Sequence, residues 1–241
     1  MSKDEKRIAL VTGANRGIGL EIARGLATQG YKVILTSRDE AKGRAAADKL
    51  GKDGLDVAYQ QLDVTDPAGV RRIADYVNKE LGRLDVLVNN AGVYLDKGAN
   101  FEGGDVLTSD LDLVKKTMEA NFYGPLRLCQ ALVPLMKKNR YGRIVNMSSG
   151  MAQLHDMGSG SFAYRLSKTA INVLTRVLAG ELGGSNILVN SASPGWVRTD
   201  MGGPSAPQTP AQGADTPIFL ATLPDGGPTG GFFKDRERME W

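Results

Sequence analysis

Val11-Thr12-Gly13-Ala14-Asn15-Arg16-Gly17-Ile18-Gly19 stands between an apolar run and an amphipathic stretch near the start of the chain. The run Ile8–Thr12 reads as a buried strand, and Gly17 to Gln29 as a helix that stops at Gly30. Glycines in the joining turn permit a tight reversal and let a backbone approach a pyrophosphate closely. The helix that follows turns unpaired N–H groups and the positive end of its dipole toward the same point. The spacing is Gly-x-x-x-Gly-x-Gly rather than Gly-x-Gly-x-x-Gly. What gives it weight is its place at the opening of a β-α-β unit. Gly13, Asn15, Arg16, Gly17, Ile18 and Gly19 are therefore candidate dinucleotide contacts.

Working outward, apolar β-branched runs keep alternating with helical periodicity, the pattern of a parallel sheet covered on both faces. Strands are expected at Lys32–Thr36, Val57–Leu62, Leu84–Asn89, Arg143–Met147 and Ile187–Ser191, with a short last one at Gly231–Phe233. Helices are expected over Asp39–Leu50, from Pro67 to Leu81, as one long element from Asp110 to Asn139, and over Ser161–Leu182. Thr209 caps a further short helix with Pro210 at its first position. A polar loop covers Lys97–Asp105, and residues 201–209, rich in Gly and Pro, form an irregular flap. The fold class is α/β: a single-domain, Rossmann-like, doubly wound parallel sheet of about seven strands, over residues 1–241.

Composition narrows the function. The net charge of +3 is small and interspersed, with no basic arm, so nucleic acid is not an expected partner. Cys129 has no second cysteine to pair with and sits in an apolar helical stretch, which makes it a small core residue. One histidine, His155, and no cysteine cluster argue against a metal site. Met1 to Arg7 is polar and carries no signal segment, and no apolar run is long enough to span a bilayer. The expectation is a cytoplasmic protein with no membrane partner.

Two further segments sharpen the dinucleotide reading. The second strand ends at Thr36-Ser37-Arg38. An acid at this point favours NAD, whereas an arginine accommodates the 2′-phosphate of NADP. Arg38 can fork onto that phosphate, and Arg16 can approach it from the turn. Asp39 reads as the start of the next helix, where an acid suits the dipole. Asn89-Asn90-Ala91-Gly92 closes the fourth strand at the carboxyl edge, and the small Ala91 and Gly92 let a dinucleotide lie close to the backbone.

Tyr164-x-x-x-Lys168 places a phenol and an ammonium on one helix face. An adjacent cation favours the phenolate, so Lys168 is expected to lower the Tyr164 pKa and make the tyrosine a proton carrier to or from a substrate oxygen.

Together Thr12-Gly13-x-x-x-Gly17-x-Gly19, Asn89-Asn90-Ala91-Gly92, Ser149, Tyr164-x-x-x-Lys168 and Pro194-Gly195 resemble the short-chain dehydrogenase/reductase family. The resemblance runs over nearly the whole chain. Pro194-Gly195-Trp196-Val197-Arg198-Thr199-Asp200-Met201, Gly213-Ala214-Asp215-Thr216-Pro217 and Trp241 bring it closer to NADPH-dependent carbonyl reductases of the animal type and related plant ketone reductases. What the resemblance implies is a tetrad. Tyr164 is the acid, Lys168 lowers its pKa and holds the nicotinamide ribose, Ser149 rather than Ser148 bonds the substrate oxygen, and Asn121 fixes a water in a proton relay. It also implies Asp63, with Val64 beside it, near the adenine and Asn90 near its ribose. Val197 and Thr199 lie near the carboxamide, and Pro194 and Gly195 border the same site. Pro125, lacking an N–H, is expected to leave the carbonyl of Asn121 free for the relay water.

Tyr94, Met151, Leu154, His155, Met157, Trp196 and Met201 are the expected pocket wall. They are mostly apolar, which suits a hydrophobic ketone, aldehyde or quinone. The expected activity is NADPH-dependent reduction of that carbonyl. Its rivals are a sugar epimerase, for which the C-terminal part leaves little room, and a non-catalytic NADPH-binding sensor or scaffold. Animal carbonyl reductases of this type are monomers with a long insertion before the tyrosine, whereas only fourteen residues separate Ser149 from Tyr164 here. The helices holding Leu126–Leu135 and Ala170–Leu178 are then uncovered, and a homodimer or homotetramer is expected. Light scattering at micromolar concentration checks this, and a monomer mass overturns it.

Overall fold

The computed structural model describes residues 6–98 and 103–241. Most of the polar start, and residues 99–102 of the polar loop, lie outside the described residues. The strands are β1 Ile8–Val11, β2 Lys32–Ser37, β3 Val57–Gln61, β4 Val86–Asn89, β5 Gly142–Met147, β6 Ile187–Ala192, β7 Phe232–Lys234 and β8 Glu237–Met239. They form one sheet in the order β3-β2-β1-β4-β5-β6-β7-β8. Every pairing is parallel except β7 with β8. The chain doubles back between β1 and β4, so the crevice at their carboxyl ends is the ligand position of an open α/β sheet.

The eighth strand goes beyond the seven expected. It closes a hairpin whose two turn residues, Asp235 (φ 51°) and Arg236 (φ 64°), are both left-handed. Asp-Arg is not a turn dipeptide of the usual kind for such a loop. Tertiary contacts hold it: Arg236 pairs with Asp215, and its N–H donates to Thr216 Oγ1.

The helices are α1 Gly17–Thr28, α2 Glu40–Lys52, α3 Pro67–Tyr76, α4 Leu111–Met118, α5 Gly124–Asn139, α6 Phe162–Glu181 and α7 Pro210–Ala221. Strand residues alternate between two apolar clusters. Leu10, Ile34, Leu87 and Ile144 pack with Val70, Leu128 and Ile171 on the side of α3, α5 and α6. Ala9, Val33, Val86 and Val145 pack with Ile22, Leu50 and Leu220 on the side of α1, α2 and α7. Burying both faces is what makes these strands near-continuous apolar runs. Cys129 is buried, and burial pushes its thiol up to about 12.

The single helix expected from Asp110 to Asn139 is interrupted by a π-helical segment, Glu119–Tyr123. Pro125 gives the reason. It has no N–H to return to the carbonyl of residue 121, and the N–H of Gly124 instead reaches back five residues to Glu119. The segment holds the Asn121 side chain at the carboxyl end of the sheet, a common place for such a bulge. Of the helices expected to be uncovered, Val173 and Val177 of α6 are exposed, whereas Leu128, Leu132, Val133 and Leu135 of α5 are buried. Among the described residues no helix is long and apolar enough to cross a membrane.

Candidate active site

A cleft with a free volume of about 500 Å³ opens at the carboxyl ends of β1, β4 and β5. The glycine turn forms its floor. Gly13 (φ 63°) lies so close to β4 that a Cβ would sit 2.9 Å from Ala91 Cα, and a Cβ on Gly19 would sit 2.4 Å from Asn90 Nδ2. Thr12 ties the two strands together: its hydroxyl accepts from the N–H groups of Asn90 (3.0 Å) and Ala91 (2.9 Å). Arg16 enters α1 with extended backbone and offers no side-chain cap, so the first-turn amides are left for an anion. This cradle fits a pyrophosphate.

Of the residues expected at the dinucleotide, Gly13, Asn15, Arg16, Gly17, Ile18, Gly19, Arg38, Asp63, Val64, Asn90, Ala91, Gly92, Tyr164, Lys168, Pro194 and Thr199 all border this cleft. Gly195 and Val197 do not. Gly195 (φ 76°) turns against the side chain of Gln208, and the buried Val197 bridges to Gln208 and packs on Gly213. They shape the flap instead. Three of the cleft residues also hold other protein groups. Asn90 spends its amide on the carbonyls of Thr12 (2.8 Å) and Gly13 (3.2 Å), so it braces the turn. Arg16 pairs with Asp200 of the flap rather than standing free. Asp63 accepts from the N–H and hydroxyl of Thr65 at 2.9 Å and 2.7 Å. Asp39, by contrast, caps α2 as expected, accepting from the N–H of Lys42 at 3.0 Å. Arg38 is exposed and borders the cleft. Leu62, Thr65, Val93, Met147, Arg198 and Asp200 also border the cleft and were missed, because only the folded chain brings them there.

At the inner end Tyr164 is 7% exposed and Lys168 5%. The Lys168 ammonium donates to the carbonyl of Met147 at 2.8 Å and lies 5.7 Å from the centre of the Tyr164 ring. Burial penalises both charged forms. It lowers Lys168 to about 8 and raises Tyr164 to about 12, with a hydrogen bond to Ser149 pulling the phenol partly back. The lowering expected from Lys168 does not appear, because desolvation is the largest influence on the phenol.

Ser149 faces Tyr164, whereas the Ser148 hydroxyl donates to the carbonyl of Lys168. Ser148 borders the cleft, while Ser149 is the one bonded to the phenol. Asn121 holds the backbone of Val93 from both sides at 2.8 Å and donates to Ser167 at 2.9 Å. A Cβ on Gly92 would lie 3.0 Å from Asn121 Oδ1 and 3.5 Å from Lys168 Nζ, so the glycine leaves these two groups facing one point.

Of the expected pocket wall, Met201 borders the cleft. The Tyr94 ring stacks on that of Tyr164 with centroids 4.2 Å apart. Met151, Leu154, His155, Met157 and Trp196 are not in the cleft lining. Leu154, His155 and Met157 are exposed on the loop after β5, and His155 is tied by its backbone N–H to Trp241. Trp196 is exposed and donates to the carbonyl of Gly202 at 2.8 Å, inside the flap. The flap itself is ordered: Arg198 and Gln208 pair through backbone, and Gly203 donates to Thr199.

The short chain dehydrogenase family profile matches residues 7–210. The chain belongs to that family. It is 37% identical to carbonyl reductase 1 (NADPH) of Bos taurus, covering 97% of this chain and 98% of that one. It is 36% identical to (+)-neomenthol dehydrogenase of Arabidopsis thaliana over the full length of both. The NADPH-bound carbonyl reductase from chicken fatty liver superposes with a TM-score of 0.86 at 29% identity, covering 98% of this chain and 100% of that one. The alignment with the cattle protein runs over 280 positions against 241 residues here, so that protein carries segments absent from this chain. This chain is therefore an oxidoreductase.

Gly19→Ala tests the cradle. Its Cβ would meet Asn90 and the carbonyl of Gly13, so NADPH affinity by fluorescence titration is expected to fall about 10-fold or more, a loss of about 1.4 kcal/mol or greater.

Proposed function

We propose that this chain reduces a hydrophobic ketone, aldehyde or quinone to the alcohol with NADPH, Tyr164 giving the proton. The observation that carries this reading is the placement of a buried phenol and a buried ammonium in the same cleft that the glycine turn and Arg38 line. NADPH rather than NADH follows from Arg38 at the end of β2 and from Asp39 being occupied as a helix cap. The relatives named for NADPH point the same way.

A bound reduced nicotinamide supplies the hydride. The protein's share is orientation and the proton. With its pKa raised to about 12, Tyr164 stays protonated at neutral pH, the form a proton donor must have. Ser149, beside it, holds the substrate oxygen within reach of the phenol. Lys168, lowered to about 8, still carries its proton at pH 7, holds the nicotinamide ribose and refills the phenol through the point it shares with Asn121. Met201 in the cleft lining, with Ile18 and Val93 beside it, favours an apolar substrate. The homo-oligomer is part of this proposal, resting on the exposed Leu166, Val173 and Val177 of α6.

Tyr164→Phe keeps the ring and its stacking but removes the donor. Reduction of a panel of ketones and quinones, followed by NADPH absorbance, is expected to fall about 10²- to 10⁴-fold with cofactor affinity retained. Wild-type-like turnover in this variant would remove Tyr164 from the mechanism. The pH profile has a defined sign. The Tyr164 proton is present below about 12 and the Lys168 charge below about 8. The profile of kcat/KM, which reports the unliganded enzyme, is therefore flat through neutral pH and declines above about pH 8.

Arg38→Ala removes one charge-assisted contact to a 2′-phosphate. NADPH affinity is expected to drop about 10- to 100-fold while NADH affinity stays unchanged. Equal binding of NADH and NADPH by the wild type would sink the assignment.

A further inference from the structure

The start of α6 is built unusually for a helix that carries the reacting group. Ser161, at the N-cap position, has left-handed backbone (φ 53°) and does not cap the helix with its own side chain. Its hydroxyl is hydrogen-bonded to that of Tyr94 instead. The capping role passes to Asp96, in the segment after β4. Asp96 Oδ2 accepts from the N–H of Ala163 at 2.7 Å and, more weakly, from the N–H of Tyr164 at 3.4 Å. Asp96 is 8% exposed, and its carbonyl accepts from the N–H of Gly104 at 3.2 Å, while the carbonyl of Gly104 accepts from Phe162 at 3.1 Å. A Cβ on Gly103 would lie 2.3 Å from the Asp96 carbonyl oxygen and 2.4 Å from Ser161 Oγ, so only glycine fits this crossing.

The same segment grips the phenol from a second side. The Tyr94 ring lies on the Tyr164 ring at 4.2 Å with the planes 22° apart. Tyr94 and Asp96 therefore hold both the backbone and the ring of Tyr164, although neither borders the cofactor cleft.

Resting on the reading of Tyr164 as proton donor, we infer that Asp96 is a positioning residue for the reduction. It caps α6 from outside the helix and thereby fixes where the phenol stands in the cleft. With extended backbone, Ser161 could cap the helix with its own hydroxyl in the ordinary way. That arrangement would not couple the helix to the segment leaving β4, which also carries Gly92 and the Asn121 contact at Val93. Anchoring by Asp96 puts the phenol and the β4 end of the cofactor cleft in one rigid unit. Asp96 Oδ1 is buried with no hydrogen-bond partner.

The test compares Asp96→Ala with Asp96→Asn in the full chain. Asparagine keeps an accepting oxygen for the two N–H groups, and alanine does not. Asp96→Ala is expected to lose about 10- to 100-fold in kcat toward a ketone, with the KM for NADPH within about twofold of wild type. It is also expected to speed amide hydrogen exchange at residues 163 and 164 by about 10-fold. Asp96→Asn is expected to restore most of the kcat and the protection. Three results overturn the inference: an Asp96→Ala kcat within twofold of wild type, an Asp96→Asn as damaged as alanine, or a KM for NADPH that rises in step with the fall in kcat. Should Asp96→Ala fail to fold, Tyr94→Leu takes its place. Removing the ring clamp is expected to lower kcat with NADPH affinity kept, and an unchanged kcat overturns the inference. A wild type that turns over no carbonyl defeats the functional reading, while hydrogen exchange still decides whether Asp96 anchors α6.

Discussion

Lys168 is an amine kept inside a protein, and much of the site is arranged around that fact. Burying an ammonium is costly unless it is hydrogen-bonded. The carbonyl of Met147, at the end of β5, supplies that bond. The bond also sets where α6 lies over the sheet, and so where Tyr164 stands one turn earlier. Because both groups are shielded from water, each is pushed toward its neutral form. A phenol pushed this way holds its proton throughout the neutral range.

The cleft is pre-formed by backbone packed against backbone. Gly13 and Gly19 admit β4 and Asn90 at distances that no Cβ tolerates. Thr12 and Asn90 supply the hydrogen bonds that would otherwise be lost at two strand ends. A rigid floor of this kind lowers the ordering cost of binding. The flap, closed by the Val197–Gln208 bridge and joined to the floor through Arg16 and Asp200, forms the opposite wall. Residues expected to touch ligand, Gly195 and Val197 among them, contribute by giving this wall its shape.

Much of this was legible from residue order. Periodicity located all seven parallel strands and the helices apart from the break between α4 and α5, because strands buried on both faces must be apolar throughout and helices must carry one apolar stripe. Glycine spacing located the cradle, since close approach leaves no alternative residue. Thr209 with Pro210 announced the start of α7, and the structure completes it with a reciprocal bond to Gln212. Asp39 was readable as a helix cap for the same local reason.

The amino-acid order by itself determined what depends on near neighbours: the alternation of elements, the glycine cradle, and the phenol and ammonium on one helix face. Tertiary structure alone decided what depends on distant ones. The eighth strand exists because α7 holds Arg236 in a left-handed turn that Asp-Arg does not favour. The π-helical segment follows from Pro125, yet the contacts of Asn121 are with Val93 and Ser167, remote in sequence. The direction of the Tyr164 pKa could not be inferred from Lys168 four residues away. It is governed by how completely the fold removes both groups from water, and desolvation is a property of the packed interior rather than of spacing along a helix.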